Sequence, residues 1–382
     1  MCSSKSRPSQ PSIDRGGFKS HRHRQRRECR ACLHRPGIRR FWARAANLSE
    51  PRRPPAARPA RPRRSQKGGQ VSRSSTAGKL FSGTLIVLSL LLAAVLLLHR
   101  FIPNRWFNLG SLIETFLPWF GLAVPVFVIL AAIRRRPLAI VCALLPGLVW
   151  FQMYAALIPD KHVGEGDFRV VAHNVNAENA DTAGTAASLL AAEPDVLVLV
   201  ELTEEQRHAW SEVLDERYEY SVSYGTVALW SAHPVLDSNE VDLDLGWARA
   251  FRAAIEIDGE PVAFYVAHLL SVRVNTEGFT SAQRNETALL LGEAIADEQL
   301  ERVVLAGDLN GTSQDRALAP ITYQLHSAQA DAGKGFGFTW PADTPMARID
   351  QVLYRGLEAT GSDVMDATAS DHRPVMADFA FS

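Results

Sequence analysis

Cysteine is scarce in this 382-residue sequence, and its distribution excludes one class of chemistry. The four cysteines are Cys2, Cys29, Cys32 and Cys142, so none follows residue 142. The C-terminal portion therefore has no disulfide and no thiol nucleophile, and it can work in an oxidising compartment. At about 225 residues, it is long enough to bury a large single core without covalent cross-links.

Acidic residues are rare in the first part of the chain. Residues 1–79 contain 22 Lys or Arg and 3 Asp or Glu, and residues 80–157 contain 5 and 1. The remaining residues contain 14 and 37, so a formal net charge of zero hides a segment of +19 and one of −23. Asymmetry of this size indicates that the two ends of the chain occupy different environments.

Apolar residues are few in residues 1–79, which are rich in Arg, Pro, Ser and Gly. Such a segment cannot offset the entropy lost on ordering, so we predict a disordered basic tail. Cys29, Cys32 and His34 are spaced like half of a zinc site, but a second CxxC does not follow, and chance explains the spacing better. For the basic residues, contact with anionic lipid is favoured over nucleic-acid binding.

Charged residues are absent from three long apolar runs, residues 80–98, 115–133 and 137–158. Each run can cross about 30 Å of hydrocarbon as a helix, so we predict three transmembrane helices. The basic tail and the three arginines at 134–136 place the segments that contain them in the cytoplasm. An odd number of crossings then places everything after residue 158 on the extracytoplasmic side.

Two alternatives to these spans are a cleaved signal peptide for the first run and buried soluble helices for all three. The basic leader is far longer than that of a signal peptide, and two more runs follow the first. Aromatic residues near the ends of the runs, Trp106, Trp119, Trp150 and Tyr154, are typical of a membrane interface. A lipid bilayer is therefore an expected partner, and we infer no obligate protein partner.

From residue 166 onward, short apolar runs alternate with amphipathic segments. The run VVLA stops at Gly307, Asp308, Leu309 and Asn310, so a carboxylate and an amide project on the same side from the end of a predicted strand. Open α/β sheets place chemistry at such strand ends. Hairpins mixed with strand–helix units predict two sheets packed face to face, with helices covering their outer faces.

Other predicted strands also end in polar residues, and each has a bland structural explanation. Asn174 and Asn176 could be turn formers, Glu201 a surface carboxylate and His268 a structural histidine. Taken together with Asp308, they supply ligands for a cation as well as groups for proton transfer. The strand-end residues are Asn174, Glu201, His268, Asp350, Asp371 and His372.

The segments HNVNAEN, PDVLVLVE, VAHL, GDLN, RID and SDHRPV follow one another within residues 166–382. In this series the domain resembles the endonuclease/exonuclease/phosphatase family, which includes DNase I-like nucleases, sphingomyelinases and inositol polyphosphate phosphatases, here as a membrane-anchored bacterial type. The resemblance implies an α+β fold, a four-layer α/β/β/α sandwich. It also implies sites for a divalent metal at Asn174 and Glu201, for the attacking water at Asp308 and Asn310, and a pocket completed by His268, Asp350, Asp371 and His372.

The chemistry of phosphate esters gives these residues more specific expected roles. A hard cation, Mg²⁺ or Mn²⁺, would be held by Glu201, with Asn174 and Asp371 as further ligands. Asp308 is the expected general base, and Asn310 would hold the water in line. His372, kept protonated by Asp350, would donate to the oxygens that gain charge, as would His268.

The substrate is expected to contact Asn176, Arg249, Arg284 and Arg348, which lie beside the motifs. A few local cations in an acidic domain suit one or two phosphates better than a long nucleic acid. At position 176, nucleases of the family often carry an acid, so the asparagine argues against a second metal. We expect a membrane-anchored phosphoesterase for an unspecified ester; the alternatives are an extracytoplasmic nuclease on DNA or RNA and a non-catalytic membrane-anchored binding module.

Overall fold

The computed structural model of this chain describes residues 76–104, 107–276 and 278–381. Most of the predicted basic tail over 1–79, including Cys29 and Cys32, lies outside the described residues. Trp106 lies outside them as well. The last four residues of the predicted tail, 76–79, are the first turn of a helix.

The first and third apolar runs form the two long helices that precede the domain. Helix α1 covers Thr76–Leu98, and a helix in the third run covers Pro137–Tyr154. Both are long and apolar enough to cross a membrane. Leu96 and Ala143 are buried between the packed helices, whereas most other large apolar side chains of the two helices are exposed.

The second apolar run is not the single helix predicted over 115–133. Helix α2 covers Leu109–Thr115, a 3₁₀ segment covers Leu117–Leu122, and helix α3 covers Ala123–Ile133. The helical parts on either side of residue 116 meet at an angle of 68°. Pro118 has no backbone N–H and stands in the first turn after the bend, where a proline is tolerated at the start of a new helical segment. Among the described residues there are thus two candidate spans, or three if the bent pair counts as one.

The helix of the third apolar run is α4, and five more α-helices follow it in the rest of the described chain. They are α4 (Pro137–Tyr154), α5 (Thr182–Leu190), α6 (Glu204–Leu214), α7 (Ala282–Ala296), α8 (Ala319–Thr322) and α9 (Ala328–Ala332). Thr203, a residue type favoured at the N-cap, caps α6 by accepting a hydrogen bond from the backbone N–H of Gln206.

The described residues form fourteen strands in chain order. They are β1 (Phe168–Asn174), β2 (Val196–Val200), β3 (Tyr220–Tyr224), β4 (Val227–Ser231), β5 (Val235–Glu240), β6 (Ala250–Ile257), β7 (Glu260–His268), β8 (Val274–Asn275), β9 (Gly278–Phe279), β10 (Val303–Asp308), β11 (His326–Ser327), β12 (Asp350–Arg355), β13 (Glu358–Val364) and β14 (Val375–Ala380).

The amphipathic pattern over residues 277–298 predicts one long helix, but the helix in the structure is shorter. Strands β8 and β9 form a small hairpin where its first turn was expected, and α7 begins only at Ala282. Glu277 lies outside the described residues. The sequence at 235–243 likewise predicts a strand of nine residues, and the observed strand ends at Glu240.

Twelve of these strands build two six-stranded sheets. The first has the order β13-β14-β1-β2-β4-β3, and the second has the order β11-β12-β10-β7-β6-β5. In each sheet one central pair is parallel, β1 with β2 and β7 with β10, and the neighbouring pairs are antiparallel. The carboxyl ends of the parallel strands in each sheet therefore lie at one edge of that sheet.

The two sheets face each other and are covered by helices on their outer sides. Val304 and Ala306 of β10 belong to the core between the sheets, and Val303 and Leu305 belong to the core beneath α7. The first sheet likewise packs its outer face on Trp210 and other residues of α5 and α6. Because β10 is buried on both faces, its sequence is a continuous apolar run. The prediction of an α+β fold with two facing sheets and outer helices is confirmed.

Candidate active site

Strand register brings three of the predicted site residues together at the end of the second sheet. Asp308 is the last residue of β10, and it pairs with His268 on β7 and with Asp350 on β12. On the first sheet, Asn174 ends β1 opposite Val200, and Glu201 follows directly. Because both sheets present these strand ends to one cleft, Asn174 bonds across to Asp308 over 134 residues of sequence.

Asp308 is the centre of the cluster. Its Oδ1 accepts from the backbone N–H of Asn310 at 2.8 Å, and its Oδ2 accepts from the side-chain amides of Asn174 at 3.1 Å and Asn310 at 3.3 Å. The Nε2 atoms of His268 and His372 each lie 3.8 Å from the same Oδ2. Four nitrogen-bearing side chains thus converge on a carboxylate that is only 1% exposed.

Burial and the nearby negative charge of Asp350 raise the pKa of Asp308 to about 7. The positive charge of His372 and the hydrogen bonds from Asn310 and Asn174 oppose that rise. A carboxylate with a pKa near neutrality is a suitable proton acceptor at physiological pH.

His372 and Asp350 form a buried pair beside Asp308. Nδ1 of His372 lies 2.9 Å from Oδ2 and 3.1 Å from Oδ1 of Asp350. Burial opposes the charge on the imidazole, but the carboxylates of Asp350 and Asp308 outweigh it and raise the pKa of His372 to about 10. Burial also opposes the charge on Asp350, but the same ion pair outweighs it and lowers the pKa of that carboxyl. His372 is therefore an imidazolium whose Nε2 points toward Asp308.

Glu201 lies at the mouth of the cleft. It has a positive φ of 62°, which is uncommon for a residue with a side chain and often occurs at functional sites. Its Oε1 lies 3.4 Å from Nε2 of His268, so Glu201 and Asp308 approach the same ring nitrogen. Burial, with the charges of Arg249 and His372, holds the pKa of His268 well below its usual range, so this imidazole is neutral.

Asn176 and Asp371 form the outer rim. The Asn176 side chain donates to Oδ1 of Asp371 at 2.9 Å, and its backbone N–H donates to Oδ1 of Asn174 at 3.0 Å. Asp371 is exposed, and its Oδ2 accepts from Nε1 of Trp340 at 3.4 Å. The two carboxylates predicted as metal ligands thus have different partners. Asp371 contacts Asn176 and Trp340, and Glu201 accepts from the backbone N–H of Ala177 at 3.4 Å.

Arg249 is the predicted substrate-binding arginine that lies within the cleft. Its Nε donates to the carbonyl of His268 at 2.7 Å, and its charge interacts with Glu201 and Asp308. The guanidinium lies 4.8 Å from the ring centroid of Trp247, a half-exposed side chain. Nη2 of Arg249 is buried without a hydrogen-bond partner among the described residues. No pattern in the sequence indicates a role for Trp247.

Arg284 and Arg348 do not join the cleft. Arg284 is fully buried; it pairs with Asp315, and its Nη1 donates to the carbonyl of Asn310 at 2.9 Å. Arg348 is also buried, with Nη1 donating to the carbonyl of Gly337 at 2.9 Å. Burial lowers the pKa of Arg348 to about 10, against the attraction of Asp350. Both arginines lie behind the site and support the loops around it.

Two hydroxyl groups that sequence reasoning missed hold the cluster in place. Oγ of Ser370 donates to the carbonyl of Asn174 at 2.7 Å and accepts from the backbone N–H of His372 at 3.1 Å, which ties the β13–β14 loop carrying His372 to the end of β1. Thr339 Oγ1 accepts from the backbone N–H of Asp350 at 3.4 Å. Ser370 stands directly before the Asp-His pair, so the motif SDHRPV contained the signal. Thr339 had no such signal.

The residues of the cleft fit a hard divalent cation. Ligand atoms of Asp308, Asp350 and His372 lie within 4.8 Å of one another. The members of that triad are already bonded to one another, however, because Nδ1 of His372 lies within hydrogen-bond distance of both oxygens of Asp350. The oxygens of Glu201 and Asn174 are better donors for such an ion. Both ring nitrogens of the neighbouring His268 are buried without a hydrogen-bond partner in the described part of the chain.

Comparison with known proteins finds similarity over this domain. A family profile described as "Endonuclease/Exonuclease/phosphatase family" matches residues 171–372. A UPF0294 protein of Vibrio campbellii is 24% identical over 236 residues, which are 57% of this chain and 79% of that protein.

Two solved structures show similarity of the same extent. An endonuclease/exonuclease/phosphatase from Bacteroides vulgatus is 19% identical, with a TM-score of 0.47, over 56% of this chain and 99% of that one. The human nocturnin catalytic domain with bound sulfate anion is 16% identical, with a TM-score of 0.45, over 56% of this chain and 94% of that one.

Proposed function

Since this chain belongs to the endonuclease/exonuclease/phosphatase family, we propose that it is a membrane-anchored, divalent-metal-dependent phosphoesterase that hydrolyses a phosphate ester by attack of water. Membership indicates a hydrolase of the phosphodiesterase or nuclease kind. The observation that carries the specific proposal is the environment of Asp308: a buried carboxylate at the end of β10, bonded to two asparagines and facing two histidines of opposite protonation state.

Asp308 is the proposed general base. Its pKa near 7 lets it take a proton from water at Oδ2 near neutral pH, and such catalysis contributes about 10² to 10⁴ in rate. The amides of Asn174 and Asn310 fix the carboxylate by donating to the same oxygen. Both therefore orient the base, and Asn310 stands next to the position that the water would occupy.

His372 is the proposed donor to the phosphoryl oxygens. Its Nδ1 is held by Asp350, so Nε2 is directed into the cleft with its proton. A positioned cationic donor stabilises the charge that develops on oxygen during displacement. The neutral His268 has one ring N–H, which can act only as an uncharged donor.

Glu201 and Asn174 are the proposed ligands of Mg²⁺ or Mn²⁺, with Asp371 as a ligand of the outer rim. When bound there, the cation supplies Lewis-acid polarisation of a phosphoryl oxygen and neutralises its charge. Arg249 would bind the substrate phosphate through its unpartnered Nη2. Asn176 is the proposed second substrate contact, and its side chain also holds Asp371 in place.

The substrate class is argued from charge and anchoring. The chain after residue 157 contains 14 basic and 37 acidic residues, whereas affinity for long nucleic acids depends on many cations. Helices α1 and α4 support membrane anchoring. In our proposal the bent pair over 109–133 makes the third crossing, so that the domain lies on the extracytoplasmic side. We therefore propose an ester with one or two phosphates, such as a lipid headgroup or a nucleotide.

The full-length protein in detergent tests this function with bis(p-nitrophenyl) phosphate. We expect turnover that EDTA abolishes and added Mg²⁺ restores, and that Asp308→Asn reduces by at least about 10². Asp258→Asn is the matched control, because Asp258 is an exposed carboxylate in the β6–β7 turn, at the opposite end of the sheet. Full activity in chelator, or wild-type turnover by Asp308→Asn, would refute the assignment.

A further inference from the structure

A buried acidic residue joins the domain to the segment before it. We call the described residues between 99 and 115 the membrane-proximal segment. Glu114, in α2, is fully buried. Its carboxylate accepts from the backbone N–H of Arg316 at 3.1 Å, and its oxygens lie 3.0 Å from Nε and Nη2 of the same arginine. Nδ1 of His99, at the end of α1, lies 3.1 Å from Oε1. A carboxylate is rarely buried so completely without a specific partner, and Arg316 provides it.

Arg316 belongs to the domain, yet its guanidinium is bonded mainly to the segment before the domain. Nη1 donates to the carbonyls of Arg100 at 2.6 Å and Ile102 at 2.8 Å, and Nη2 donates to the carbonyl of His99 at 2.9 Å. The planar guanidinium is suited to several such bonds at once, and a lysine could not make them all. The segment between α1 and α2 therefore closes around one arginine side chain.

The network of hydrogen bonds and ion pairs continues from Arg316 to the loop at 309–318, which carries Asn310. The adjacent residue, Asp315, accepts from the backbone N–H of Ala317 at 3.0 Å and from Ser111 of α2 at 3.5 Å, and it pairs with Arg284. Arg284 then donates to the carbonyl of Asn310 at 2.9 Å. Two arginines and two carboxylates thus balance their charges along a path from α2 to Asn310.

Asn310 is a residue that needs such support. Its φ is 46°, in the left-handed region, which costs free energy unless the surroundings fix it. Its backbone N–H and its side chain are both bonded to Asp308, so a shift of the Asn310 backbone moves two of the bonds that orient the base. Arg284 fixes the carbonyl on the other side.

We propose that the membrane-proximal segment is part of the active-site scaffold, and that Glu114, Arg316, Asp315 and Arg284 are positioning residues that hold Asn310 against Asp308. The inference deepens the proposed function, because it assigns regulation of that same site to the docking of α2. Removing one member leaves an uncompensated buried charge, so the network is either complete or disrupted. Separation of α2 from the domain loosens the loop at 309–318.

Simple anchoring is the competing explanation, and a second contact between the same parts provides its control. Nε1 of Trp119 donates to the carbonyl of Met346 at 2.7 Å, and its ring stacks on Phe338 at a centroid distance of 5.5 Å. Trp119→Phe removes this hydrogen bond and keeps an aromatic ring. It weakens docking at a point that is not bonded to the loop carrying Asn310.

Hydrogen exchange on the full-length protein in detergent measures the coupling directly. Glu114→Gln keeps the size of the side chain and an oxygen acceptor but removes the charge opposite Arg316. We expect faster amide exchange at residues 309–318 in Glu114→Gln, and wild-type exchange there in Trp119→Phe. Unchanged exchange in a folded Glu114→Gln protein, or equal acceleration in both variants, overturns the proposal. This readout needs no substrate, so it decides the coupling even if the proposed activity is absent.

Kinetics with bis(p-nitrophenyl) phosphate provide the second readout. We expect Glu114→Gln to lower kcat about tenfold, or about 1.4 kcal/mol, with KM changed by less than about twofold. Arg284→Lys keeps the charge beside Asp315 but loses the planar fork. If both act through Asn310, the double variant is about as slow as the slower single variant. Additive losses in kcat, or a change confined to KM, contradict the mechanism.

Discussion

At the scale of single residues, Asp308 determines how the rate should depend on pH. Its folded pKa of about 7 means that the base is protonated, and inactive, at acidic pH. His372 must keep its proton, and its pKa of about 10 sets the opposite limit. The expected profile of kcat/KM is a bell that rises toward pH 7 and falls near pH 10.

Substitution of His372 should move the acidic limb in a defined direction. The positive charge of His372 lowers the pKa of Asp308, so His372→Gln should raise that pKa and shift the limb to higher pH, besides slowing turnover. The measurement is kcat/KM between about pH 5 and 10 for the wild type and for His372→Gln. Asp258→Asn, far from the cleft, should keep the wild-type profile. An unmoved or more acidic limb in His372→Gln would show that the titrating group is not Asp308.

The local sequence identified Asp308 and Asn310 as site residues, but it did not predict the positions of Arg284 and Trp247. Asp308 and Asn310 could be found because a continuous apolar run ends in a turn there, and side chains two positions apart project on the same side of a strand. Arg284 was assigned to the substrate because it is cationic and close to a motif. Its actual direction depends on how α7 packs against the loop at 310–315, which is a tertiary contact between distant segments. Trp247 lies in an irregular loop, where no period marks the orientation of a side chain.

At the scale of elements, the position of β10 between β7 and β12 creates the site. The register pairs Asp308 with both His268 and Asp350, so a slip of one residue would turn the base to the other face of the sheet. Gly307 permits this register. Its φ of 141° is rarely adopted by other residues, and a Cβ there would collide with the carbonyl of Ala267.

Gly307→Ala is therefore expected to lower both stability and activity. The methyl group would push β10 away from β7 and displace Asp308 from His268, at a cost of about 1 to 3 kcal/mol in stability from backbone strain alone. Thermal unfolding and turnover of bis(p-nitrophenyl) phosphate are the measurements. Gly259→Asn is the matched control, since Gly259 also has a positive φ, 84°, but has open space around it. Equal unfolding temperatures for wild type and Gly307→Ala would contradict the collision.

The helices before the domain, α1 to α4, show what the composition of an apolar run can and cannot predict. Composition alone located α1 and α4, because an uncharged run of about 20 residues has few other structures available. The bend in the second run was missed, although Pro118 and Gly121 are visible in the sequence. Whether a proline kinks a helix or starts a new one depends on what satisfies the freed backbone groups, and here Trp150 donates to the carbonyl of Pro118 at 2.7 Å.

At the scale of the whole molecule, the domain is docked on the helices that precede it. Arg316 and the aromatic residues at 336–338 both contact the helices that precede the domain, and each belongs to a loop beside the cleft. If α1 and α4 cross the membrane as proposed, an active site supported in this way works close to the membrane surface.

The orientation of the domain can be tested by labelling, because it has no native cysteine. We expect a membrane-impermeant maleimide to label Asp258→Cys in intact cells, since the predicted topology places this exposed turn outside the cytoplasm. Cys2, Cys29 and Cys32 in the basic tail should be labelled only after the membrane is permeabilised. Tryptic peptides show whether the label is at position 258 or in the tail. The tail cysteines therefore serve as the control within the same Asp258→Cys protein. Labelling of the tail in intact cells, with the thiol introduced at position 258 protected until permeabilisation, would reverse the topology and place the phosphoesterase on the cytoplasmic face.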